Sequence, residues 1–349
     1  MIFPYNKEVT SILNFQTLLP FSVHSYNDLR VSGNVGKTVT SLYRDQDKYI
    51  IQNIENLDWE DDFDAVVLGH IETLQRISSM DIKSIIYDHC KRYGKNLIVF
   101  DPDLYPEESF IYSIKIDEEY VVNDTFDKLN LIEAPVVGVY GTSSRQGKFT
   151  VQLFLREIFS GKGYHVGQLG TEPSALLFGF DEAFPMGYNG GVSLEGYKAV
   201  LYLNKAMKRI QDKNPDIIIT GAQSGTTLYW PGNLKHYPVH QTDMLWGTLP
   251  DAVVLCVNTY DEIHYIQRTI HLIESVYTSK VAALCLYPFE YLNDWNMMVD
   301  KRTKCSQERL SELKRNLSKQ TGLPCFEIAD HDDMHKLCVR LISFFSGEA

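Results

Sequence analysis

Val136-Val137-Gly138-Val139-Tyr140-Gly141-Thr142-Ser143-Ser144-Arg145-Gln146-Gly147-Lys148-Phe149-Thr150 is the stretch on which the fold turns. Its first five residues form a short apolar run rich in Val, the composition of a strand buried on both faces. Two glycines then bracket a polar loop, and from Lys148 to Ser160 the apolar spacing is that of a helix. A buried strand that runs through a glycine loop into a helix points several backbone N–H groups at one place. The helix dipole adds partial positive charge there. Gly141 and Gly147 allow close backbone approach, Lys148 brings a mobile ammonium, and Thr150 offers a hydroxyl suited to Mg²⁺. The expected ligand is the phosphate chain of a nucleotide or nucleotide-containing cofactor, held by Gly141, Thr142, Ser143, Gln146, Gly147, Lys148, Phe149 and Thr150. The loop departs from the common G-x-x-x-x-G-K-[ST] form: five residues separate its glycines, and Phe149 stands where a Ser or Thr is usual.

Outward from this loop the α/β rhythm continues. Strands are read at Tyr164 to Leu169, Asp216 to Thr220, Ala252 to Val257, Lys280 to Leu286 and Pro324 to Ile328. Helices are read at Leu194 to Asp212, Asp261 to Tyr277, Ser306 to Thr321 and Asp332 to Phe345. Near-continuous apolar strands alternating with helices predict a doubly wound parallel sheet. Upstream, Ala65 to Gly69, Asp81 to Tyr93 and Asn96 to Phe100 read as strand, helix, strand. The expectation is therefore an α/β protein of two domains: a Rossmann-like one over residues 1–130 and a P-loop NTPase-like one over 131–349. The boundary is placed in the acidic, weakly periodic stretch Ile116 to Glu133.

Ligands of open α/β sheets lie beyond the carboxyl ends of the strands, which selects further candidates. Glu172, in Gly170-Thr171-Glu172-Pro173-Ser174, is a candidate Mg²⁺ ligand or general base. Gln223 and Ser224, in the small-residue loop after Thr220, are candidates for holding phosphate or substrate. Thr220 stands where a nucleotide hydrolase carries an acid. Tyr229 to Trp246 reads as a long polar-aromatic loop with Lys235, His236, His240, Gln241 and Asp243, and His240 is a candidate acid or base. Asn258, at a strand end, either reads a nucleobase edge or caps the helix after it. Pro185 to Gly191 reads as a glycine-rich loop, either a lid or substrate loop or an ordinary surface loop. Gly33-Asn34-Val35-Gly36-Lys37-Thr38 also shows G-K-T, but no apolar strand precedes it and a surface turn is expected.

The chain of 349 residues has 44% hydrophobic and 22% charged residues and a net charge of −12. This balance disfavours a nucleic-acid partner, which calls for clustered Lys and Arg. Met1 to Lys7 lack the features of a secretion signal, and no apolar run approaches the roughly 18–20 residues that cross a bilayer. A cytoplasmic protein without membrane association is expected. The six cysteines are widely spaced without a C-x-x-C pair, so they read as reduced thiols, with Cys256 and Cys285 buried and inert.

The loop Gly141 to Thr150 resembles that of the D-glutamate N-acetyltransferase-like family, whose pattern is G-T-D-x-x-x-G-K-x-T; the five-residue spacing is also that of dethiobiotin synthetase. Gly221-Ala222-Gln223-Ser224-Gly225 and Gly247-Thr248-Leu249-Pro250-Asp251-Ala252-Val253-Val254-Leu255-Cys256 are similar to the same family's E-G-Q-G-S and G-S-x-P-D-A-L-V-L-C, and Val31 to Lys37 to its first-domain turn. The family's Glu before G-Q is Thr220 here, and its loop Asp is Ser143. Gly170 to Ser174 through Pro185 to Asn189 looks like a clostridial branch linked to maturation of Cys-rich peptides. The resemblance implies a transferase or ligase that uses ATP or acetyl-CoA on an amino acid or peptide, with Lys148, Glu172 and His240 as candidate catalytic groups. A non-catalytic nucleotide-binding accessory protein is the alternative, and a homo-oligomer is compatible with either. A hydride-transferring Rossmann enzyme is disfavoured, since no G-x-G-x-x-G follows an N-terminal strand.

Overall fold

The computed structural model describes residues 1–43, 48–102, 104–114, 128–186, 194–232, 238–291, 302–328 and 330–347. The N-terminal part is a four-stranded parallel sheet in the order β1 (Ile2–Phe3), β2 (Ala65–Leu68), β3 (Asn96–Val99), β4 (Ile111–Ser113). Helix α1 (Ile82–Tyr93) covers it through Ile82, Ile86 and Cys90; Asp81 accepts from the Ser84 amide at one end and Gly94 closes the other in the left-handed conformation.

The larger sheet has seven parallel strands. In chain order they are β5 (Val136–Gly141), β6 (Val166–Gly170), β7 (Glu182–Ala183), β8 (Ile217–Gly221), β9 (Ala252–Val257), β10 (Lys280–Leu286) and β11 (Cys325–Glu327), in the spatial order β7-β6-β8-β5-β9-β10-β11. The glycine-loop strand β5 is central, flanked by β8 and β9, and all three are buried along their length. Side chains alternate between faces. Val137, Val139, Ile219, Val254 and Cys256 pack with α2 (Lys148–Gly161) and the C-terminal helix His331–Ser346 on one side. Val136, Tyr140, Ile218, Val253 and Leu255 pack with the helices Tyr197–Gln211, Val239–Thr248, Ile263–Val276 and Gln307–Thr321 on the other. Two apolar faces require two helical layers, and this is the doubly wound sheet expected from the sequence.

Contacts also join the N-terminal residues to the larger sheet's helical layer. Phe15 meets Phe154 edge-on at 5.0 Å, and Tyr43 meets it at 6.0 Å. Aromatic pairs of this geometry contribute about 0.5–1.5 kcal/mol each beyond their buried area. The boundary expected within 116–133 falls largely on residues outside those described. Among the described residues, no helix is long and apolar enough to cross a membrane.

Three expectations need correction. Tyr229 to Trp246 is not one long loop, because Val239–Thr248 is a helix. Its buried residues Gln241, Met244, Leu245 and Thr248 recur at helical spacing, but Gln and Thr among them disguise the stripe in the sequence. The helix read from Leu194 starts at Tyr197, since Gly196 adopts φ 60° and ψ −137°. The helix read from Asp261 starts at Ile263, with Glu262 as its N-cap residue. The decoy Gly33 to Thr38 is a turn: Gly33 and Gly36 have φ of 72° and 83°, and the Gly36 amide donates to Ile51 O at 2.8 Å.

Candidate phosphate site at the carboxyl edge of the sheet

Strand β5 delivers the glycine loop at the carboxyl edge of the sheet, and α2 starts inside it. Gly147 is the N-cap residue, with φ 73°, and a Cβ there would stand 3.3 Å from the Tyr287 ring and 3.4 Å from Ile328. A helix's first turn has no intrahelical acceptors for its N–H groups. Among the described residues, the amides of Gln146, Gly147, Lys148, Phe149 and Thr150 have no protein acceptor. They form a run of donors at the positive end of α2, the arrangement that holds anionic oxygens.

Lys148 is buried, and its Nζ donates to Ser143 O at 2.7 Å and Ser224 O at 2.9 Å. The ammonium thus bridges the glycine loop and the loop after β8. Burial pushes its pKa down to about 8, against the opposing pull of Cys256 and Glu172. Glu172 follows β6 and is half-buried, close enough to Lys148 to act on it through space. The Cys256 thiol is fully buried and pushed up to about 12, and burial also raises that of Cys285, so both are inert as the sequence suggested.

The far side of the loop is fixed by Asp261, which in the sequence reads only as a helix start. Asp261 accepts from the Thr142 hydroxyl, from the Asn258 amide at 2.8 Å and from Gln146 Nε2 at 3.3 Å. Burial raises the pKa of Asp261, and the bonds from Thr142, Asn258 and Gln146 oppose that rise. Gln146 is itself buried, donating to the Thr142 hydroxyl and accepting from the Ser143 amide at 2.9 Å. Its carboxamide therefore braces the first half of the loop and withdraws the Ser143 amide from the donor set. Tyr265 OH reaches Thr142 O and Thr227 O, each at 2.9 Å. The only sequence signal for this brace is the pair Asn258 and Asp261 just after an apolar strand.

The other candidates fall into distinct places. Ser143 contributes its carbonyl to Lys148, while its hydroxyl accepts from Asn258 Nδ2 at 3.0 Å. Asn258 is therefore tied to the loop and is not a helix cap. Ser224, at φ 54°, likewise gives a carbonyl, and Gln223 Nε2 donates to Thr171 O at 2.7 Å, linking the loops after β8 and β6. The Phe149 ring packs on Phe178 and Phe180 at 5.8 and 5.6 Å, so its backbone alone faces the site. Thr150 is half-buried in the first turn of α2. Gly225 touches the glycine loop: a Cβ there would be 2.3 Å from Thr142 O. Thr220 is fully buried at the end of β8, and its hydroxyl has no hydrogen-bond partner among the described residues.

His240 is separate. It sits in the first turn of Val239–Thr248, with Nε2 3.7 Å from Glu195 and Nδ1 4.0 Å from Asp243. Among the described residues it makes no hydrogen bond or ion pair with the glycine loop. Lys235 and His236, and most of Pro185 to Gly191, lie outside the described residues. No group of three or more His, Cys, Asp or Glu side chains able to hold a metal occurs among the described residues.

Comparison with known proteins agrees with this architecture. Residues 127–338 match a family described as "Domain of unknown function (DUF1611_C) P-loop domain". A crystal structure of a DUF1611 family protein from Anabaena variabilis overlays with a TM-score of 0.62 at 16% identity, covering 97% of this chain and 95% of that one. A cobyrinic acid a,c-diamide synthase from Mycobacterium smegmatis with bound ADP and magnesium overlays with a TM-score of 0.42 at 9% identity, over 62% of this chain and 97% of that one. That overlap is too loose to carry an argument. No curated protein matches the chain.

Proposed function

From the premise that this chain belongs to the DUF1611 family through its P-loop domain, we propose that it binds the phosphates of ATP or an acyl-CoA on the loop 143–150 and modifies the amine or carboxylate of an amino acid or peptide. The observation that carries this reading is the run of amides from Gln146 to Thr150 with the Lys148 ammonium beside it. Both cofactors present linked phosphates to such a run. The ammonium, already desolvated, stabilises negative charge more than a solvated one would. Its two present acceptors are neutral carbonyls, so an anionic oxygen is a stronger partner than either.

Mg²⁺ fits this chain in one way. The Thr150 hydroxyl and the Glu172 carboxylate would hold it with phosphate oxygens, since Mg²⁺ commonly takes one or two carboxylates and keeps several waters. It would neutralise phosphate charge. Thr220 adds no charge, so Glu172 carries the acidic side of such a site. Asp261 keeps Thr142 and Gln146 in place and acts as a positioning residue. The resemblance to D-glutamate N-acetyltransferase-like proteins favours acyl transfer to an amine, in a peptide-maturation setting for the clostridial branch. There the residues here would hold the thioester's nucleotide end, and Glu172 would accept a proton.

Thr220 favours a second reading. A fully buried, uncharged residue where hydrolases carry an acid suits a nucleotide-binding accessory subunit. Calorimetric titration with ATP, with and without Mg²⁺, and with acetyl-CoA separates the cofactors. Turnover over a panel of amino acids and short peptides then separates enzyme from accessory subunit. Binding of neither ATP nor acetyl-CoA would overturn both readings.

A further inference from the structure

Beside the N-terminal sheet lies a cavity of which the phosphate site uses no part. Its volume is about 420 Å³, and it runs between α1 and the loop 54–60, with Phe3 of β1 also in its wall. Small-molecule sites commonly occupy about 300–1,000 Å³. One side is a single face of α1, since Ile82, Ile86, His89 and Tyr93 recur at helical spacing and all line the cavity. Trp59, from the loop, is 8% exposed and makes one end aromatic. Its ring centre lies 4.7 Å from that of His89 and 6.3 Å from that of Tyr93.

The loop also brings charge. Glu55, Asp58 and Glu60 line the cavity, and its wall holds no Lys or Arg among the described residues. Glu55 takes one hydrogen bond from Asn53 Nδ2 at 3.1 Å, and Asp58 takes one from the Glu60 amide at 3.0 Å. Both donors belong to the same stretch of chain. None of the three carboxylates makes an ion pair among the described residues. The Arg92 guanidinium stands 5.6 Å from the Tyr93 ring centre but does not line the cavity. Unpaired carboxylates beside aromatic rings suit a cation with an apolar body, because the faces of such rings attract positive charge as the carboxylates do. Trp59 adds a donor: its indole N–H has no acceptor among the described residues. A donor left unmade in a nearly buried side chain is costly, and a carbonyl oxygen on a ligand would satisfy it.

We propose that this cavity binds a small apolar amine with a neighbouring carbonyl, of the class of apolar amino-acid amides. The apolar side chain rests against Phe3, Ile82 and Ile86. The ammonium faces Glu55, Asp58 and Glu60, and the carbonyl oxygen accepts from the Trp59 indole N–H. The site stands on its own residues and is independent of what the glycine loop binds.

The test uses the full chain labelled at the tryptophan indole nitrogen, titrated with L-phenylalaninamide while the indole N–H signals are followed by NMR. The Trp59 signal is assigned by its loss in Trp59→Phe. A saturable shift of that signal is expected. Glycinamide, which lacks the ring, should bind at least about tenfold more weakly. N-acetyl-L-phenylalaninamide, which lacks the charge, should bind about fivefold or more weakly, as should L-phenylalaninamide to the combined variant Glu55→Gln, Asp58→Asn, Glu60→Gln. Lys148→Met should respond as wild type does, which separates this site from the glycine loop. An unmoved Trp59 signal, an equal response to either control compound, an undiminished response in the combined variant, or a response lost in Lys148→Met would each overturn the proposal. Should Trp59→Phe fail to fold, Trp230→Phe, Trp246→Phe and Trp295→Phe assign the Trp59 signal by elimination, since the chain has four tryptophans.

Discussion

Lys148→Met separates two quantities that a structural lysine would move together. The ammonium is buried, and its pKa falls from 10.5 to about 8. That fall corresponds to about 3 kcal/mol by which the folded protein disfavours the charged form at neutral pH relative to water. Methionine keeps the length and apolar stem and removes this cost. It also removes the bonds to Ser143 O and Ser224 O, which as charge-assisted bonds contribute about 1.5–3 kcal/mol each before the cost of burial. The two bonds together come to about 3–6 kcal/mol against the roughly 3 kcal/mol released, so urea unfolding should give a stability no more than about 3 kcal/mol below wild type. Anion binding has no such cancellation. Losing one charge-assisted contact to a phosphate oxygen costs about 1.5–3 kcal/mol, roughly 10- to 150-fold in Kd. Calorimetry with ATP and acetyl-CoA on both proteins measures it. An affinity within threefold of wild type, in a variant that folds normally, would refute the assignment of Lys148 to the phosphates.

The same lysine fixes a pH dependence. A bound phosphate chain raises its pKa, so above pH of about 8 the complex holds a proton the free protein has lost. Affinity should then fall with rising pH, by at most about tenfold per unit, and the slope should vanish in Lys148→Met. Gly225→Ala places a methyl 2.3 Å from Thr142 O, a backbone atom that cannot rotate away. The glycine loop must shift, and a loss of about 1–3 kcal/mol in unfolding free energy with weakened ligand binding is expected. Thr220→Val removes a buried hydroxyl that has no partner among the described residues. A gain of about 1 kcal/mol in urea unfolding, with ligand affinity unchanged, is expected, because burying a lone hydroxyl is costly. A drop in affinity would instead place that hydroxyl on the ligand.

Long, strongly apolar elements were legible without coordinates. The strands at 136–141, 217–221, 252–257 and 280–286 announce themselves because burial on both faces demands unbroken runs of Val, Ile, Leu and Ala. The helix at 239–248 did not, because its buried stripe includes Gln241 and Asp243, whose burial is decided by what packs over them. Asp243 accepts from the Gly196 amide at 3.1 Å, from a residue 47 positions earlier. No local pattern contains that pairing.

By itself the sequence determined the donor run. A strand, a glycine loop and a helix start are consecutive, so the amides from 146 to 150 converge through local backbone geometry. Only the tertiary structure decided what surrounds that run. Asp261 meets Thr142 across 119 positions, Lys148 meets Ser224 across 76, and Gly225 lies against Thr142 because β8, β5 and β9 are neighbours in space. The order of strands in a sheet is set by the burial of whole faces, a property of the assembled chain. The hydrogen bond between His70 and Asp101 has the same origin, since adjacent parallel strands bring together residues that 31 positions of chain keep apart.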